Sequence, residues 1–267
     1  MMNKKCLNCG KKLTDKYCSS CGQKADTHRI TFKNFIFHDV LHGTFHIEKG
    51  ILYTAKQALL RPGKAALDYI SGKRKPYYNV FLLILLTIGL MLFLKHYYNE
   101  ILIEQGRRYV KDISNLNEAS QKMEYIFAQK SKIVIFIFVP FAAINSYIIF
   151  RRKKLNLSEH IIIAAMILLG ILLLSTFAII LFYFDLFIDI SSSADKAIQY
   201  IIASLIFLYT IYGYFNAFRN DYSKLGFTYR IILFYAFIYI ELIILLFITI
   251  GFVTKWEFGD ILITPFN

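Results

Sequence analysis

All four cysteines of the chain fall within sixteen residues, as Cys6-Leu-Asn-Cys9-Gly10 and Cys18-Ser-Ser-Cys21-Gly22. The C-x2-C-x8-C-x2-C spacing suits a tetrahedral metal. Each C-x2-C turn places two thiolates on one side of an ion, and Zn²⁺ takes four such ligands at about 2.3 Å. The glycine behind each pair lets the turn close with backbone N–H groups aimed at the sulfurs. Lys4, Lys5, Lys11, Lys12 and Lys16 offset the charge of a four-thiolate zinc site. Four thiolates leave no open coordination position, so the expected zinc is structural rather than catalytic. The rival chemistry, a dithiol redox pair, seldom comes twice with a glycine after each, and no βαβ pattern surrounds it. A module this small has almost no core, so the metal supplies its folding energy. Thiolate zinc also needs a reducing compartment, which places the N-terminus in the cytoplasm.

Three further groups can do chemistry. His38, His42 and His46 stand at i, i+4 and i+8. On a helix they form a stripe, and adjacent pairs can chelate a second metal beside Asp39. The segment is not H-E-x-x-H, so it lacks a zincin-type glutamate base. The simpler reading rests the stripe at the membrane interface or against the spans. Glu241 lies near the middle of an apolar run with no Lys or Arg inside any span to pair with it. An acid at the bilayer centre costs about 2.5–3.5 kcal/mol. It is therefore expected to face protein, hydrogen-bonded among Ser175, Thr176, Tyr209 and Thr210, or to serve a proton or cation relay. Asn145 is a lesser polar point, suited to helix–helix contact. Arg61, Lys73 and Arg74, in Arg61-Pro62-Gly63 and Gly72-Lys73-Arg74, can hold a lipid phosphate, or can mark only a helix break and a topology signal. No nucleotide-binding or nucleophile-elbow motif is present.

The elements that must position these groups are membrane elements. Hydrophobic residues make up 57% of the 267 and charged residues 18%, and mean hydropathy is +0.48. Soluble domains run at roughly 45–50% apolar and about 25% charged, so the chain is displaced toward the bilayer on both counts. Five runs have spanning length: 77–94, 133–150 with Pro140 inside it, 161–184, 198–218 and 231–253. No period-2 alternation suggests a barrel. The first 20 residues carry no apolar signal core.

Charge orients the spans. Residues 1–78 hold 15 basic and 5 acidic side chains, a balance of +10 in a total of +13. The segments 151–160 and 219–230 are net +3 and +2, whereas 98–130 is neutral and 185–196 is −2. The positive-inside rule then predicts a cytoplasmic N-terminus and a periplasmic C-terminus. Tyr77, Tyr78, Tyr97, Tyr98 and Trp256 flank spans as interfacial belts.

Between head and spans, apolar spacing predicts amphipathic helices over about 32–47, 49–60 and 64–70, broken at Arg61-Pro62-Gly63 and ended at Ser71-Gly72. None is long enough to span; they suit the interface, with their lysines and arginines at headgroup level. The domain reading is a zinc ribbon over 1–27, juxtamembrane helices over 28–76 and a transmembrane bundle over 77–267. In class it is an all-α polytopic membrane protein of about five transmembrane helices.

Several of these residues resemble a known family. The C-x2-C-G and Tyr17-Cys18-Ser-x-Cys21-Gly22-Gln23 runs, Arg29-Ile30-Thr31, His42, the Gly50…Thr54 step, Arg61-Pro62-Gly63 and Tyr69-Ile70-x-Gly72-Lys73-Arg74 are similar to the uncharacterised bacterial membrane family catalogued as domain of unknown function 3667. The resemblance covers residues 5–80. It implies a zinc-ribbon head on a multi-span body and brings no activity with it.

The leading expectation is a non-enzymatic protein of the bacterial inner membrane, lipid-embedded, whose head and basic helices recruit a cytoplasmic protein partner or lipid. A transporter or channel-like subunit using Glu241 is the alternative, weakened by the absence of an internal repeat. Nucleic acid is not an expected partner: before Phe32 the only aromatic is Tyr17, so stacking has no platform.

Overall fold

The computed structural model describes residues 5–25, 27, 50–107, 118–186 and 192–256. Among the described residues, seven α-helices follow the cysteine segment: α1 (Gly50–Leu60), α2 (Pro62–Ile70), α3 (Val80–Glu104), α4 (Glu118–Ile149), α5 (Leu157–Phe182), α6 (Ser192–Phe218) and α7 (Lys224–Thr254). A 3₁₀ turn, Tyr183–Leu186, follows α5. Among the described residues there is no strand, only isolated bridges in the cysteine segment.

Local chemistry sets the helix ends. Pro62 opens α2 at its first position, where the missing N–H is no loss, and so divides α1 from α2 at Arg61. Asn79 caps α3, its side chain accepting from the Phe81 and Leu82 amides at 3.0 and 3.2 Å. Asn156 and Glu159 form a reciprocal capping box on α5, at 2.8 and 2.9 Å. This is how Glu159 is buried at the mouth of an apolar helix without an unmet charge. Ser223 caps α7 through the Gly226 amide.

Among the described residues, four helices are long and apolar enough to cross a membrane: α3, α5, the Ala197–Phe218 part of α6, and α7; a shorter apolar stretch, Ile137–Ile149, lies in α4. The chain is a multi-pass membrane protein. Leu85, Leu90, Phe93, Ile201, Leu205, Ile240 and Phe247 are exposed along these helices, the surface a bilayer covers. Four of the five expected spans are present at spanning length, the expected run 133–150 is matched by the shorter Ile137–Ile149 stretch, and the helices overrun the apolar runs. Hydropathy falls at Lys95, yet α3 runs on to Glu104; α4 begins at Glu118, fifteen residues before the apolar run. A helix continues on its own backbone hydrogen bonds past the edge of lipid-like composition.

The central element is α5. Every residue from Ile162 to Gly170 is buried, so this half of the helix is enclosed on all sides. It packs against α1, α2, α3, α4 and α6. The α1–α2 hairpin closes part of that ring. The helices are amphipathic, as expected, with Lys56 and Lys64 exposed and Thr54, Ala58, Ala65 and Ala66 buried. Their apolar faces turn to protein, however, against α5 and α6.

Lipid tails are as apolar as leucine, so close packing and hydrogen bonds hold helices together here. Gly63 meets α6 so closely that an added Cβ would lie 2.5 Å from the Ala217 backbone nitrogen. The Lys64 amide donates to Asn216 Oδ1 at 2.8 Å. Tyr212 donates to the Leu60 carbonyl at 2.7 Å, and Tyr209 donates to that of Ala58. These bonds take up carbonyls that the break at Pro62 leaves without helical partners.

At the same end, α4 through α7 meet in an aromatic stack. Phe150 lies 4.6 Å from Phe218, nearly parallel, with Tyr214 and Tyr222 at 5.8 Å. The two basic turns are tied together there. Lys153 pairs with Asp221 at 2.6 Å, and the Arg152 amide donates to the Tyr222 hydroxyl at 3.0 Å. Arg152 and Arg230 stand over the Tyr222 ring at 4.9 and 4.2 Å. The α1–α2 hairpin, the 151–156 turn and the 219–223 turn therefore share one end of the bundle.

Candidate metal centre and the surface it docks on

The two cysteine pairs fold alike. The Cys6 amide donates to the Lys11 carbonyl and the Gly10 amide to the Cys6 carbonyl, at 2.7 and 2.8 Å; the Cys18 amide donates to Gln23 and the Gly22 amide to Cys18, both at 2.8 Å. Bridges Lys5–Lys12 and Tyr17–Lys24 close the two knuckles. Gly10 and Gly22 take φ values of +76° and +70°, the left-handed conformation that favours glycine. This is the local reason for a glycine after each pair.

The knuckles face each other. Cys6 Sγ lies 3.6 Å from Cys21 Sγ, and Cys9 Sγ 3.5 Å from Cys18 Sγ. All four sulfurs lie within 4.8 Å of one another. A tetrahedron with metal–sulfur bonds of about 2.3 Å has edges of about 3.8 Å, so the set fits one metal ion. A disulfide requires about 2.05 Å, and all four thiols are free. The shortest sulfur contacts join one knuckle to the other rather than the two cysteines of one C-x2-C, which is the arrangement of a shared ion and not of two redox pairs.

The backbone prepares part of the set for metal. The Gln23 N–H aimed at Cys21 outweighs burial and holds that thiol down at about 6. The Cys21 and Ser20 N–H groups lower Cys18. At Cys9 the Lys11 N–H acts in the same sense, but burial and the three neighbouring thiols prevail and raise it to about 11. A fourth thiolate is resisted by its neighbours until a cation sits among them.

The head rests on the loop between α2 and α3. Gln23 Nε2 donates to the Gly72 carbonyl at 2.8 Å, and its Oε1 accepts from the Arg74 and Lys75 amides, both at 3.3 Å. Leu7, from the first knuckle, covers Gly72, where an added Cβ would lie 2.6 Å from Leu7 Cδ1. Gly72 has φ +99°. The loop is fixed from the other side by Thr54, whose hydroxyl donates to the Gly50 carbonyl and accepts from the Tyr78 amide, both at 2.8 Å. Gln23 and Thr54 stood in the sequence only as parts of runs shared with a family; their geometry gives each a task.

Arg61, Lys73 and Arg74 gather at this loop. Arg61 and Lys73 flank Asp68 at 3.5 and 3.1 Å, and Arg61 also donates to Gln57. Arg74 lies over the Tyr69 ring at 5.4 Å. Sequence reasoning missed Asp68, whose spacing from Arg61 and Lys73 carries no motif. His38, His42 and His46, and the expected helix over 32–47, lie outside the described residues.

Glu241 is half-buried on α7 and accepts from Asn145 Nδ2 at 2.9 Å. The cluster expected around it does not form. Thr176 and Thr210 donate to carbonyls of their own helices, and Tyr209 turns to Ala58. The partner is instead Asn145, buried on α4. A second polar contact, Ser146 Oγ with His160 Nδ1 at 2.8 Å, joins α4 to α5. Both side chains are fully buried, with His160 stacked on Phe218 and edge-on to Tyr147. Ser146 also donates to the Ala143 carbonyl, so the pair acts as helix–helix contact rather than as an accessible nucleophile and base.

Residues 48–92, which comprise α1, α2 and the first half of α3, match the model of a protein family of unknown function, DUF3667. This is the family that the sequence resembles; the matched part is the hairpin and the first half of the first span helix, and the four-cysteine head precedes it. Comparison with curated proteins and with solved structures gave no match.

Proposed function

We propose that the chain is a non-enzymatic protein of the bacterial cytoplasmic membrane, with its N-terminus in the cytoplasm and its C-terminus in the periplasm. Its zinc-held head, seated on the membrane body, presents a basic surface to a cytoplasmic protein partner or to lipid. The observation that carries this reading is the contact of Gln23 and Leu7 with the Gly72–Lys75 loop. A freely tethered head would have no use for a buried amide between two sequence-distant segments. Cys6, Cys9, Cys18 and Cys21 would hold the ion, and four soft donors favour zinc among common divalent metals. Bound zinc supplies a cross-link between the knuckles and no catalytic chemistry. The orientation rests on the head, Arg151–Lys154, Arg219, Lys224 and Arg230 sharing one end of the bundle.

The Asn145–Glu241 contact keeps transport as a second reading, but among the described residues it is a single link rather than a path of polar groups across the bilayer.

Because every cysteine lies in the head, the chain carries its own topology probe. In sealed cells, a membrane-impermeant thiol reagent applied from the periplasm should leave the head unlabelled, and permeabilisation after metal chelation should expose it. Labelling from the periplasm would overturn the orientation. The purified chain should contain one zinc, lost in Cys18→Ser together with any co-purifying partner.

A further inference from the structure

We propose that the groove between the C-terminal half of α5 and the N-terminal part of α6 is a binding site for an acyl chain of a phospholipid, taken from the leaflet opposite the α1–α2 hairpin. The hairpin creates the groove by ending at mid-span. Its tip touches α5 at Gly170, where an added Cβ would lie 2.8 Å from the Ala58 carbonyl oxygen. Gly170 is the fourteenth of the 26 residues of α5. The tip therefore lies about 20 Å along that helix, at 1.5 Å per residue, near its midpoint. Tyr209 and Tyr212 of α6 meet the tip there, donating to the Ala58 and Leu60 carbonyls. Up to that level the hairpin helps to enclose α5, and residues 162–170 are buried. Past it, Phe177 and Leu181 of the same helix are exposed.

The space beyond the tip is a groove of about 720 Å³. It runs along residues 174–182 of α5 and 198–212 of α6, with Tyr209 and Tyr212 at its inner end. These stretches rise about 12 and 21 Å. The hydrocarbon of one leaflet is about 15 Å thick, half of a core of roughly 30 Å. The groove thus has the length of one leaflet's acyl chain and not of a spanning helix. Its lining agrees. Phe177, Leu181, Ile201, Leu205 and Leu208 present bulky hydrocarbon, whereas membrane helices approach one another over small residues. Apart from Ser175, the polar side chains in the lining are the two tyrosines, and their hydroxyls are already engaged by the hairpin carbonyls. An empty apolar void forfeits dispersion contacts for every atom that lines it. The groove is continuous with the bilayer-facing surface, since Ile201, Leu205 and Leu208 are exposed. Acyl chains are what that surface meets.

The site needs the bilayer alone. Metal, orientation and any protein partner do not enter it, so it can fail without touching the function proposed above. The full-length, zinc-loaded protein is reconstituted with phosphatidylethanolamine and phosphatidylglycerol, extracted again in detergent, and weighed by native mass spectrometry. A phospholipid is expected to stay bound. The two headgroups are expected in the ratio supplied, because no charged side chain lines the groove. Ala178→Trp and Leu205→Trp fill the groove and should lose that lipid; the second carries the test if the first does not fold. Ile240→Trp, on the exposed face of α7, should keep it. A benzophenone side chain in place of Leu208 should cross-link to phospholipid on irradiation. No retained phospholipid in the parent, equal retention in the filled variants, or strong selection of one headgroup would overturn the proposal. So would a cross-link from position 208 to a second copy or to another segment of the chain.

Discussion

The side chain of Gln23 donates to the carbonyl of Gly72 at 2.8 Å, across 49 residues of sequence. It joins the knuckle that ends the metal centre to the loop that begins the membrane body. Gln23 is buried, and its other end accepts two backbone amides of the same loop. Removing one partner of a buried hydrogen bond costs about 1–3 kcal/mol. Gln23→Ala should therefore keep zinc stoichiometry but loosen the seat, with limited proteolysis at residues 72–75 faster by about tenfold. Unchanged cleavage would mean that the contact holds nothing.

The hairpin is held to α6 by close backbone approach, and that makes a graded prediction. Gly63→Ala places a methyl 2.5 Å from the Ala217 nitrogen and 2.9 Å from its Cβ. Backbone cannot yield as a side-chain tip can, so the loss should be about 1–3 kcal/mol or more, read as a lower unfolding temperature in detergent. Gly89→Ala on the exposed face of α3, where nothing lies within 4 Å of the new Cβ, should be neutral. Equal effects at the two positions would refute the packing account.

Asn145 and Glu241 pin α4 to α7, and removing the donor differs from removing the charge. Glu241→Gln keeps an oxygen for Asn145 to donate to, and should leave stability near that of the parent. Asn145→Leu strips a membrane acid of its amide partner and should destabilise clearly more. Ion or proton flux in proteoliposomes should be the same for the parent and Glu241→Gln. Flux that disappears in the variant would move the transport reading ahead of the one preferred here.

How much of this was legible in the sequence differs by kind of residue. The cysteine knuckles were, because ligand type, spacing and the two glycines are local. So were α1 and α2, expected over 49–60 and 64–70 and found at Gly50–Leu60 and Pro62–Ile70, because a proline stands where one must end and the other begin. The packing of that pair against α5 was less so. Its basic residues advertise headgroups, and only the run of small residues at Gly63, Ala65 and Ala66 hints at another helix. Long-range partners were not legible at all. Asn145 and Glu241 were each noticed as polar points, but nothing in either segment says that they meet. Asp68 looked like an ordinary surface acid until the fold set Arg61 and Lys73 on either side of it.

Hydrogen exchange of the full chain before and after chelation tests whether metal in the head and order in the juxtamembrane loop go together. The Arg74 and Lys75 amides, which donate to Gln23, should be protected with metal and lose that protection when it is removed, while the Tyr78 amide, which donates to Thr54, keeps its own. Equal protection at all three amides with and without metal would contradict it.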